Sequence, residues 1–509
     1  MIVEGFAYLN IGNFHICTVL SFDTGTDSVC KSFGFMRHKF LHASDCGLFE
    51  MKGWIFMNLP VGSGVYFIGI GGISMSSLAL ILKKRGIRVA GYDFKPSDNT
   101  RLLEKNDIPV FYTYAPENQE DFDTVVFTAA IAETDPEFVC AKKRGAKILS
   151  RAELLGMLVD GYTHSIGVAG THGKSTTTGM LAHIFAASNS DATVLAGAVI
   201  PSLGSTYHAG HGDTAVFEAC EYKNSYHAMH PTLRLVLNCE FDHVDFFGNM
   251  ENVIASFRKY LETDSGREEN LALINADCPG SVKAAEGIST KTYTFSIKDP
   301  SADFYAADIT GCGGYEEFDI YALGCFYCHA KPGVPGMHNV ANATAAAGAA
   351  YLCGISGEAV SSGLASFGGV KRRFERLGTM PEGAVVIDDY AHHPDEIRAT
   401  LKAAKAICQG KVYCIFQPHT YSRFTALMPS FAETLSLADV VIMADIYAAR
   451  ETNENGVSSA DIRKYLSDAE YFPDFESIAA FVKEHAGKDD MVITMGAGDI
   501  DKIAPLLLK

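Results

Sequence analysis

The chain has 509 residues, which at roughly 150 residues per domain corresponds to about three domains and excludes a single hydrophobic core. Hydrophobic residues make up 48% of the chain and charged residues 20%, so we expect a folded protein rather than a disordered one. Its 42 basic and 60 acidic side chains give a formal net charge of −18, which disfavours general binding of nucleic acids because it would repel a polyanion.

The sequence contains no apolar run of the roughly 18 to 20 residues that cross a bilayer, and its N-terminus lacks a basic region followed by an apolar core. We therefore expect neither a membrane span nor export. The 13 cysteines are odd in number and are spread along the chain, unlike those of a small disulfide scaffold. A reducing, cytoplasmic location fits this distribution.

Residues 1–57 show no sustained period of 2 or 3.6 residues, and they are interpreted as an N-terminal extension of unknown role. The pattern changes at Val65, where an apolar strand, a glycine turn, a helix and a strand ending at Asp93 predict a βαβ unit. Two further strands flank a helix around 134–144. Residues 58–160 are therefore predicted to form the first domain, with a parallel sheet.

The predicted central domain covers residues 161–370. The strand HSIGVAG runs into a glycine-rich turn and a helix, and short strands follow. A polar, turn-rich region near 296–333 predicts a group of antiparallel strands, and the Ala-rich helix VANATAAAGAAYL ends the domain. After the basic link KRRFERLG, four strand-like segments alternate with amphipathic helices, which predicts another α/β domain over 371–509.

The strongest motif is GTHGKST, which lies between a predicted strand and a predicted helix. The N–H groups of such a loop bind a polyphosphate, its lysine reaches the terminal phosphates, and its hydroxyl coordinates Mg²⁺. Val168 replaces the first glycine of the general pattern, but the strand–loop–helix context favours a P-loop over a glycine helix start with a surface lysine. The motif comprises Gly170, Thr171, His172, Gly173, Lys174, Ser175 and Thr176.

A second glycine loop, with Gly69, Gly71 and Gly72, precedes the first predicted helix, and Asp93 ends the next strand. This arrangement resembles a dinucleotide fingerprint, but Ser74 replaces the third glycine and a plain tight turn explains the loop equally well. A nicotinamide dehydrogenase could use this loop but would leave the P-loop unexplained. Two glycine loops on different domains predict two phosphate-bearing ligands.

Two acidic segments follow consecutive predicted strands of the central domain. Glu221 ends the first, EACE, and His243 ends the second, CEFDH. Carboxylates at strand ends near a P-loop can complete the coordination of Mg²⁺, which prefers oxygen ligands. A solvated acidic rim is the alternative for either segment alone, but their shared position favours the metal site. We expect no metal at His392 and His393, because adjacent side chains diverge.

Seven segments in one unbroken order resemble the Mur ligase family: GTHGKS, EACEYKNSY, EFDHVDFF, PGMHNVANATAA, GVKRRFE, DDYAHHP and FQPHTYSR. The resemblance runs from about Val65 to the C-terminus. It implies a three-domain α/β enzyme: a Rossmann-like N-terminal domain for a UDP-sugar, a central P-loop ATPase domain with a mainly parallel sheet, and a Rossmann-like C-terminal domain that helps hold ATP and an amino acid. The segments GIGGISMS and DDYAHHP are similar to those of members that join L-alanine to UDP-N-acetylmuramate.

The resemblance also implies roles for individual residues. Ser175 and Glu221 resemble ligands of the magnesium bound to ATP, and His243 resembles the histidine at a second metal near the acyl phosphate. The implied catalytic residues are Lys174, Glu221, His243, Arg373 and His392. The implied contacts to adenine and ribose are His338, Asn342 and one of Asp388 and Asp389. The implied contacts to the UDP-sugar, amino acid and intermediate are Gly69, Gly71, Gly72, Asp93, Tyr390, His392 and Arg423. The chain departs from the family pattern at Cys220, Tyr222 and Thr420.

The implied reaction phosphorylates the lactyl carboxylate of UDP-N-acetylmuramate with ATP, after which the amine of L-alanine attacks the acyl phosphate. Phosphorylation supplies the leaving group that a carboxylate lacks. One alternative is a recycling ligase of the same family that adds a tripeptide, and another is a nucleotide-binding regulator that keeps the fold without turnover. The sequence leaves the oligomeric state open.

We expect a chain that begins at Met57 to keep the melting temperature and turnover of the full chain, because the domain pattern starts only near Val65. The two chains should be compared by thermal melting and by phosphate release. A large loss of both stability and turnover on truncation would show that the extension packs against the domains.

Overall fold

The computed structural model describes residues 2–11, 14–23 and 59–509, except 129–130, 313, 450 and 454–455. The chain separates into two compact units, Met1–Lys52 and Gly53–Lys509. In the first unit, strand β1 (Ile2–Ile11) pairs antiparallel with β2 (Phe14–Asp23). Sequence periodicity did not predict this pair. The remainder of the predicted extension lies outside the described residues.

The N-terminal domain contains a five-stranded sheet in the order β5-β4-β3-β6-β7, and every neighbouring pair is parallel. All four residues of β3 are buried, as expected for a central strand with helices on both faces. The parallel sheet predicted here is therefore confirmed. Its elements are β3 (Val65–Ile68), α1 (Ile73–Lys84), β4 (Val89–Tyr92), α2 (Asp98–Lys105), β5 (Val110–Phe111), β6 (Thr124–Phe127), α3 (Pro136–Arg144), β7 (Lys147–Ser150) and α4 (Arg151–Asp160).

The central domain contains a ten-stranded sheet in the order β10-β9-β11-β8-β12-β13-β14-β15-β16-β17. In this order, each neighbouring pair from β9 to β15 is parallel, whereas β15, β16 and β17 form the predicted antiparallel strands. Its first elements are β8 (His164–Ala169), α5 (Lys174–Ala187), β9 (Thr193–Ile200), β10 (Ser205–His208), β11 (Thr214–Glu218), β12 (Leu233–Val236), α6 (Val244–Phe247) and α7 (Met250–Leu261). The others are β13 (Leu271–Asn275), α8 (Pro279–Ala285), β14 (Lys291–Ser296), β15 (Phe304–Cys312), β16 (Tyr315–Ala322), β17 (Cys325–Ala330), α9 (Met337–Leu352) and α10 (Gly357–Ser366).

Small side chains let the Ala-rich helix α9 approach the sheet closely. Ala343, Ala346 and Ala350 are fully buried, and a Cβ added at Gly348 would lie 3.0 Å from the ring of Phe304. The start of this helix is thereby fixed beside the P-loop.

The C-terminal domain contains a six-stranded sheet in the order β18-β19-β23-β20-β21-β22, and all its pairs are parallel except β18 with β19. The predicted basic link is partly wrong, because residues from Glu375 onward form edge strand β18. Charged side chains are common on edge strands, so composition alone suggested a linker. The elements are β18 (Glu375–Thr379), β19 (Val385–Asp389), α11 (Pro394–Ile407), β20 (Val412–Phe416), α12 (Tyr421–Leu435), β21 (Val440–Met443), β22 (Glu470–Tyr471), α13 (Phe475–His485), β23 (Met491–Met495) and α14 (Ala504–Leu507).

These three sheets confirm the predicted fold class, an α/β protein with mainly parallel sheets. In the central domain, β11, β8 and β12 are parallel neighbours, so their carboxyl ends lie at one edge of the sheet. Ligands of open α/β sheets bind at this edge. In the part of the chain that the structure describes, no helix is long and apolar enough to cross a membrane.

A buried carboxyl group lies in the N-terminal domain, away from these strand ends. Glu137 is 1% exposed, and its carboxyl oxygens accept hydrogen bonds from Gln119 at 2.5 Å and Tyr66 at 3.5 Å. Burial raises the pKa of Glu137 to about 7, and the nearby charge of Asp135 adds to the effect. The folded domain therefore binds this proton more tightly than the unfolded chain does.

Glu137→Gln should remove a pH-dependent loss of stability. The pKa of Glu137 rises on folding, so its contribution to stability is complete below pH 4.5 and is lost as the pH rises to about 7. The unfolding free energy of the variant relative to the parent should therefore increase by about 1 to 3 kcal/mol between pH 5 and pH 8. Thermal melts across this range measure the difference, with the exposed Glu133→Gln as control. A flat difference for Glu137→Gln would contradict the assignment.

Candidate active site

The P-loop connects β8 to α5. Gly170 and Gly173 have positive φ angles of 144° and 84°, and a Cβ at Gly173 would lie 2.6 Å from Oδ1 of Asn342. Glycine is therefore required at position 173 both for the backbone conformation and for close contact with α9. The N-terminus of α5, with its unpaired N–H groups, is available to an anion at this position.

A cavity of about 630 Å³ lies beside the P-loop and is lined by residues of both the central and the C-terminal domain. Its volume lies within the range of small-molecule and cofactor sites. The structure here brings together predicted nucleotide-binding residues that are far apart in sequence. Those lining the cavity are His172, Gly173, Ser175, Thr176, His338, Asn342, Arg373 and Asp389.

Lys174, Glu221 and His243 form a cluster at the edge of the central sheet, in which Glu221 is buried and the other two side chains are partly buried. Nζ of Lys174 lies 3.0 and 3.1 Å from the two carboxylate oxygens of Glu221, and it also donates to the carbonyls of Gly170 and Thr171 at 2.5 and 3.2 Å. Nε2 of His243 lies 3.4 Å from Oε1 of Glu221, an oxygen that Lys174 also contacts. Lys174 and His243, two of the five residues that the family resemblance implies as catalytic, thus both contact a third, Glu221.

The electrostatics of this cluster keep Glu221 ionised. Its side chain is only 3% exposed, and burial alone would raise its pKa, but the charge of Lys174 and the hydrogen bond from His243 outweigh burial and lower the pKa. An ionised carboxylate and the hydroxyl of the P-loop residue Ser175 are hard oxygen donors of the kind that Mg²⁺ prefers. The residues present therefore fit the predicted magnesium site.

Asp242 joins this cluster to the C-terminal domain. It accepts hydrogen bonds from the backbone N–H of His243 at 2.7 Å and from Arg423 of α12 at 3.3 Å. Burial opposes its ionisation, yet His243 and Arg423 hold its pKa at about 2. The predicted substrate contact Arg423 is thus anchored to the residue that precedes the predicted metal ligand His243.

Arg373, His172 and His392 converge on Glu396, a residue that the sequence analysis did not select. Oε1 of Glu396 lies 3.3 Å from Arg373 and 3.1 Å from Nδ1 of His172, while Oε2 accepts from the backbone N–H of His392 at 3.1 Å. Its position in the first turn of α11 gives no specific sequence signal, because the helix dipole explains an acidic residue there equally well.

The two aspartates at the end of β19 have different environments. Asp389 lines the cavity and accepts hydrogen bonds from the N–H groups of Phe374 and Ala391, and burial raises its pKa to about 6. Asp388 instead pairs with Arg372 at 3.0 Å. Asp389 is therefore the better placed candidate for the predicted ribose contact.

The neutral state is favoured at His338 and His392. Burial lowers the pKa of His392 to about 4. The side chain of His338 is exposed, and desolvation by neighbouring groups together with the charge of Arg373 lowers its pKa. His338 lies in the first turn of α9 beside Asn342, whose side-chain amide donates to Asn339 at 3.1 Å. A neutral imidazole next to an oriented amide is suited to an uncharged base. His392 instead lies against Tyr390, with their rings 5.4 Å apart.

The predicted sugar-nucleotide loop lies in the N-terminal domain. Asp93 accepts a hydrogen bond from the N–H of Gly71 at 2.8 Å, and Asn99 donates to the carbonyl of Gly71 at 2.8 Å. A Cβ at Gly71 would lie 2.7 Å from Asp93. Asp93 therefore shapes the loop, and the binding role of Gly69, Gly71, Gly72 and Asp93 stays a prediction.

One group of possible metal-ligating atoms lies elsewhere among the described residues. Atoms of His172, His393 and Asp395 are within 4.8 Å of one another, and His392 does not belong to the group. Both ring nitrogens of His172 already lie near carboxylates of Glu396 and Glu240, at 3.1 and 3.3 Å. A protonated imidazole between two carboxylates has no lone pair for a metal, so we assign no metal to this group.

Three family models match consecutive parts of the chain. "Mur ligase family, catalytic domain" covers residues 64–163, "Mur ligase middle domain" covers 168–350, and "Mur ligase, glutamate ligase domain" covers 372–498. These matches confirm the family resemblance predicted from the sequence motifs.

Named relatives match over most of their length. The chain is 43% identical to the UDP-N-acetylmuramate–L-alanine ligase of Caldicellulosiruptor saccharolyticus, over 87% of this chain and 98% of that protein. It is 42% identical to the ligase of the same name from Agathobacter rectalis, over 87% and 97%. Among solved structures, the UDP-N-acetylmuramate-alanine ligase of Thermotoga maritima has a TM-score of 0.72 and 27% identity, with coverage of 87% and 97%. The murein peptide ligase of Psychrobacter arcticus has a TM-score of 0.65 and 25% identity, with coverage of 88% and 98%.

Lys174→Gln and His243→Asn should impair the site by different routes. Loss of the ammonium removes a charge contact to phosphates, so we expect ADP affinity to fall about tenfold and turnover to fall about 10²- to 10³-fold. His243→Asn should lower turnover similarly, because it alters the arrangement around Glu221, while ADP affinity stays within about threefold of the parent. Calorimetric ADP binding and phosphate release measure the two effects. Near-normal turnover of His243→Asn at limiting Mg²⁺ would exclude His243 from the metal arrangement.

Proposed function

This chain belongs to the Mur ligase family, and we propose that it is an ATP-dependent ligase that joins L-alanine to UDP-N-acetylmuramate, with release of ADP and phosphate. The observation that carries the proposal is the Lys174–Glu221–His243 cluster, in which Lys174 lies between two P-loop residues, Gly173 and Ser175, that line a nucleotide-sized cavity. Relatives with this activity are about 40% identical over nearly their whole length. The reaction would supply a peptidoglycan precursor in the cytoplasm, where ATP is available.

The chemistry requires activation of a carboxylate. An oxygen of the lactyl carboxylate attacks the γ-phosphorus of ATP, the bond to the β,γ-bridging oxygen breaks, and ADP leaves. Lys174 of the P-loop and Arg373, which lines the cavity, would offset the negative charge on the transferring phosphoryl group, which is mainly a task of electrostatics and positioning. Ser175 and Glu221 would hold the Mg²⁺ of ATP and His243 a second metal near the acyl phosphate, and these ions would supply further neutralisation of the phosphate oxygens.

Amide formation follows in the same site. The amine of L-alanine attacks the acyl carbon, the bond to the phosphate oxygen breaks, phosphate leaves, and the nitrogen loses a proton. Tyr390, His392 and Arg423 lie on the C-terminal side of the site, where we expect the amino acid and the intermediate to bind. The pKa of His392, which burial lowers to about 4, leaves a neutral imidazole that can accept a hydrogen bond from the incoming amine.

The two nucleotides are proposed to bind to different domains. UDP-N-acetylmuramate would place its diphosphate at the glycine loop before α1, and ATP would place its phosphates at the P-loop before α5. The reacting carboxylate must then reach the γ-phosphate from the neighbouring domain. Closure of the domains would align the two groups and exclude the water that would hydrolyse the acyl phosphate.

A second candidate within the family is a ligase that attaches a peptide to the same UDP-sugar. The structural likeness to the murein peptide ligase of Psychrobacter arcticus favours this activity, but with a lower TM-score than the likeness to the alanine ligase. The higher identity to alanine-adding relatives makes L-alanine the preferred amine. A regulator without turnover has no need for the Lys174–Glu221–His243 cluster.

UDP-N-acetylmuramate labelled with ¹⁸O in its carboxylate should transfer one labelled oxygen to the released phosphate. Attack of the carboxylate on ATP leaves that oxygen bound to phosphorus when the amine displaces phosphate. Mass spectrometry of the phosphate, with an amine-free reaction as control, follows the label. Label retained wholly in the sugar product would eliminate the acyl-phosphate route.

L-Alanine should be the best amine substrate, while glycine and L-serine should be poorer but detectable. A pocket gains only about 1 to 3 kcal/mol from one methyl group, which corresponds to about 10- to 200-fold in kcat/KM. Competition assays that follow phosphate release should include a tripeptide as the alternative amine. A strong preference for the tripeptide would assign the chain to the peptide-adding branch.

A further inference from the structure

Glu396 connects the P-loop to the C-terminal domain through a single carboxylate. It lies in the first turn of α11, and its side chain is only 9% exposed. One of its oxygens faces His172 of the P-loop at 3.1 Å and Arg373 at 3.3 Å, and the other accepts from the N–H of His392 at 3.1 Å. A movement of α11 relative to the central sheet would therefore act directly on the P-loop.

His172 is held firmly in the central domain. Its backbone N–H donates to Asn238 at 2.8 Å, and its carbonyl accepts from the same side-chain amide at 3.1 Å. Its Nε2 lies 3.3 Å from Glu240. The imidazole thus lies between Glu240 of its own domain and Glu396 of the C-terminal domain.

The charges of His172 and Glu396 are complementary. Burial opposes protonation of His172, but Glu396 and Glu240 outweigh it and raise its pKa to about 10. Burial likewise opposes ionisation of Glu396, yet the neighbouring histidines and Arg373 keep its pKa well below the usual range. An imidazolium therefore faces an ionised carboxylate across the boundary between the domains.

From this arrangement we propose that His172 and Glu396 form a reversible latch that couples closure of the C-terminal domain to the position of the P-loop. Glu396 is a positioning residue in this role, because it acts through His172 and Arg373. The inference deepens the proposed function and rests on it, since the latch would align the nucleotide site for phosphoryl transfer. The proposed reaction steps do not involve the contact between His172 and Glu396.

Reversibility follows from the partners that each group keeps when the latch opens. Glu396 would retain Arg373 and His392 in its own domain, and His172 would retain Glu240 in the central domain. Breaking a buried ion pair is strongly destabilising when a charge is left without a partner. Here neither charge would be left alone, so the contact can form and break without a large penalty.

The latch can be tested with His172→Gln, Glu396→Gln and the double variant. Glu396→Gln keeps the side-chain shape and an oxygen acceptor for Arg373, but removes the charge that attracts His172. Glu240→Gln is the matched control, because it changes the other carboxylate beside the same imidazole without altering the interdomain contact. Small-angle scattering in ADP and Mg²⁺ reports closure, calorimetry reports ADP affinity, and phosphate release reports kcat and KM.

We expect His172→Gln and Glu396→Gln each to increase the radius of gyration of the ADP-bound protein and to lower kcat about 5- to 100-fold. In Glu396→Gln, ADP affinity should stay within about threefold of the parent, because the P-loop itself is unchanged. The double variant should be no worse than the more affected single variant, since both remove one interaction. Glu240→Gln should keep the parent radius of gyration.

Multiplicative effects in the double variant would overturn the latch, and so would an unchanged radius of gyration in His172→Gln. A lowered kcat in Glu396→Gln with parent-like scattering would also overturn it and assign the effect to Arg373 alone. The scattering and ADP measurements need neither sugar nor amine. They therefore separate failure of the latch from failure of the proposed ligase activity, which would appear as absent turnover in the parent.

Discussion

The site depends on the need to give every buried charge a partner. Removing an ion from water carries a penalty of several kcal/mol, which is offset only by close opposite charges and hydrogen bonds. Lys174, Glu221 and His243 meet this requirement together at the edge of the central sheet. Because Lys174 also binds the loop carbonyls of Gly170 and Thr171, the same ion pair helps to fix the shape of the P-loop.

Parallel strands make this arrangement possible. Since β11, β8 and β12 are neighbours, Glu221, the P-loop and His243 follow strands that end at one edge. The close packing of α9 then places Asn342 against Gly173. Gly173 and Asn342, which are 169 positions apart (342 − 173), thereby line one cavity. Local sequence alone could not predict this contact.

The sequence predicted the parts of the site that depend on local chemistry. Glycines at positions 170 and 173, a lysine after them and acidic residues after consecutive strands each have a physical reason that can be recognised without coordinates. Glu396 could not be identified in this way, because an acidic residue in the first turn of a helix is explained equally well by the helix dipole. The distinction between Asp388 and Asp389 also required the structure, since Arg372 neutralises only one of them. The segment that forms edge strand β18 resembles a linker in sequence because it is rich in charged residues. Its pairing with β19 required the structure.

Among the residues that the structure describes, two ion pairs cross the boundary between the central and C-terminal domains, and both involve residues at or next to the predicted catalytic and nucleotide-binding residues. Arg423 reaches Asp242, which precedes His243, and Glu396 reaches His172, which lies within the P-loop. If the domains separated, Asp242 would keep its hydrogen bond from the N–H of His243, and His172 would keep its contact with Glu240. Each side chain would therefore retain a partner within the central domain. Interdomain contacts of this kind favour a closed arrangement without making it permanent. An enzyme that must exclude water during acyl transfer and then release its product needs both properties.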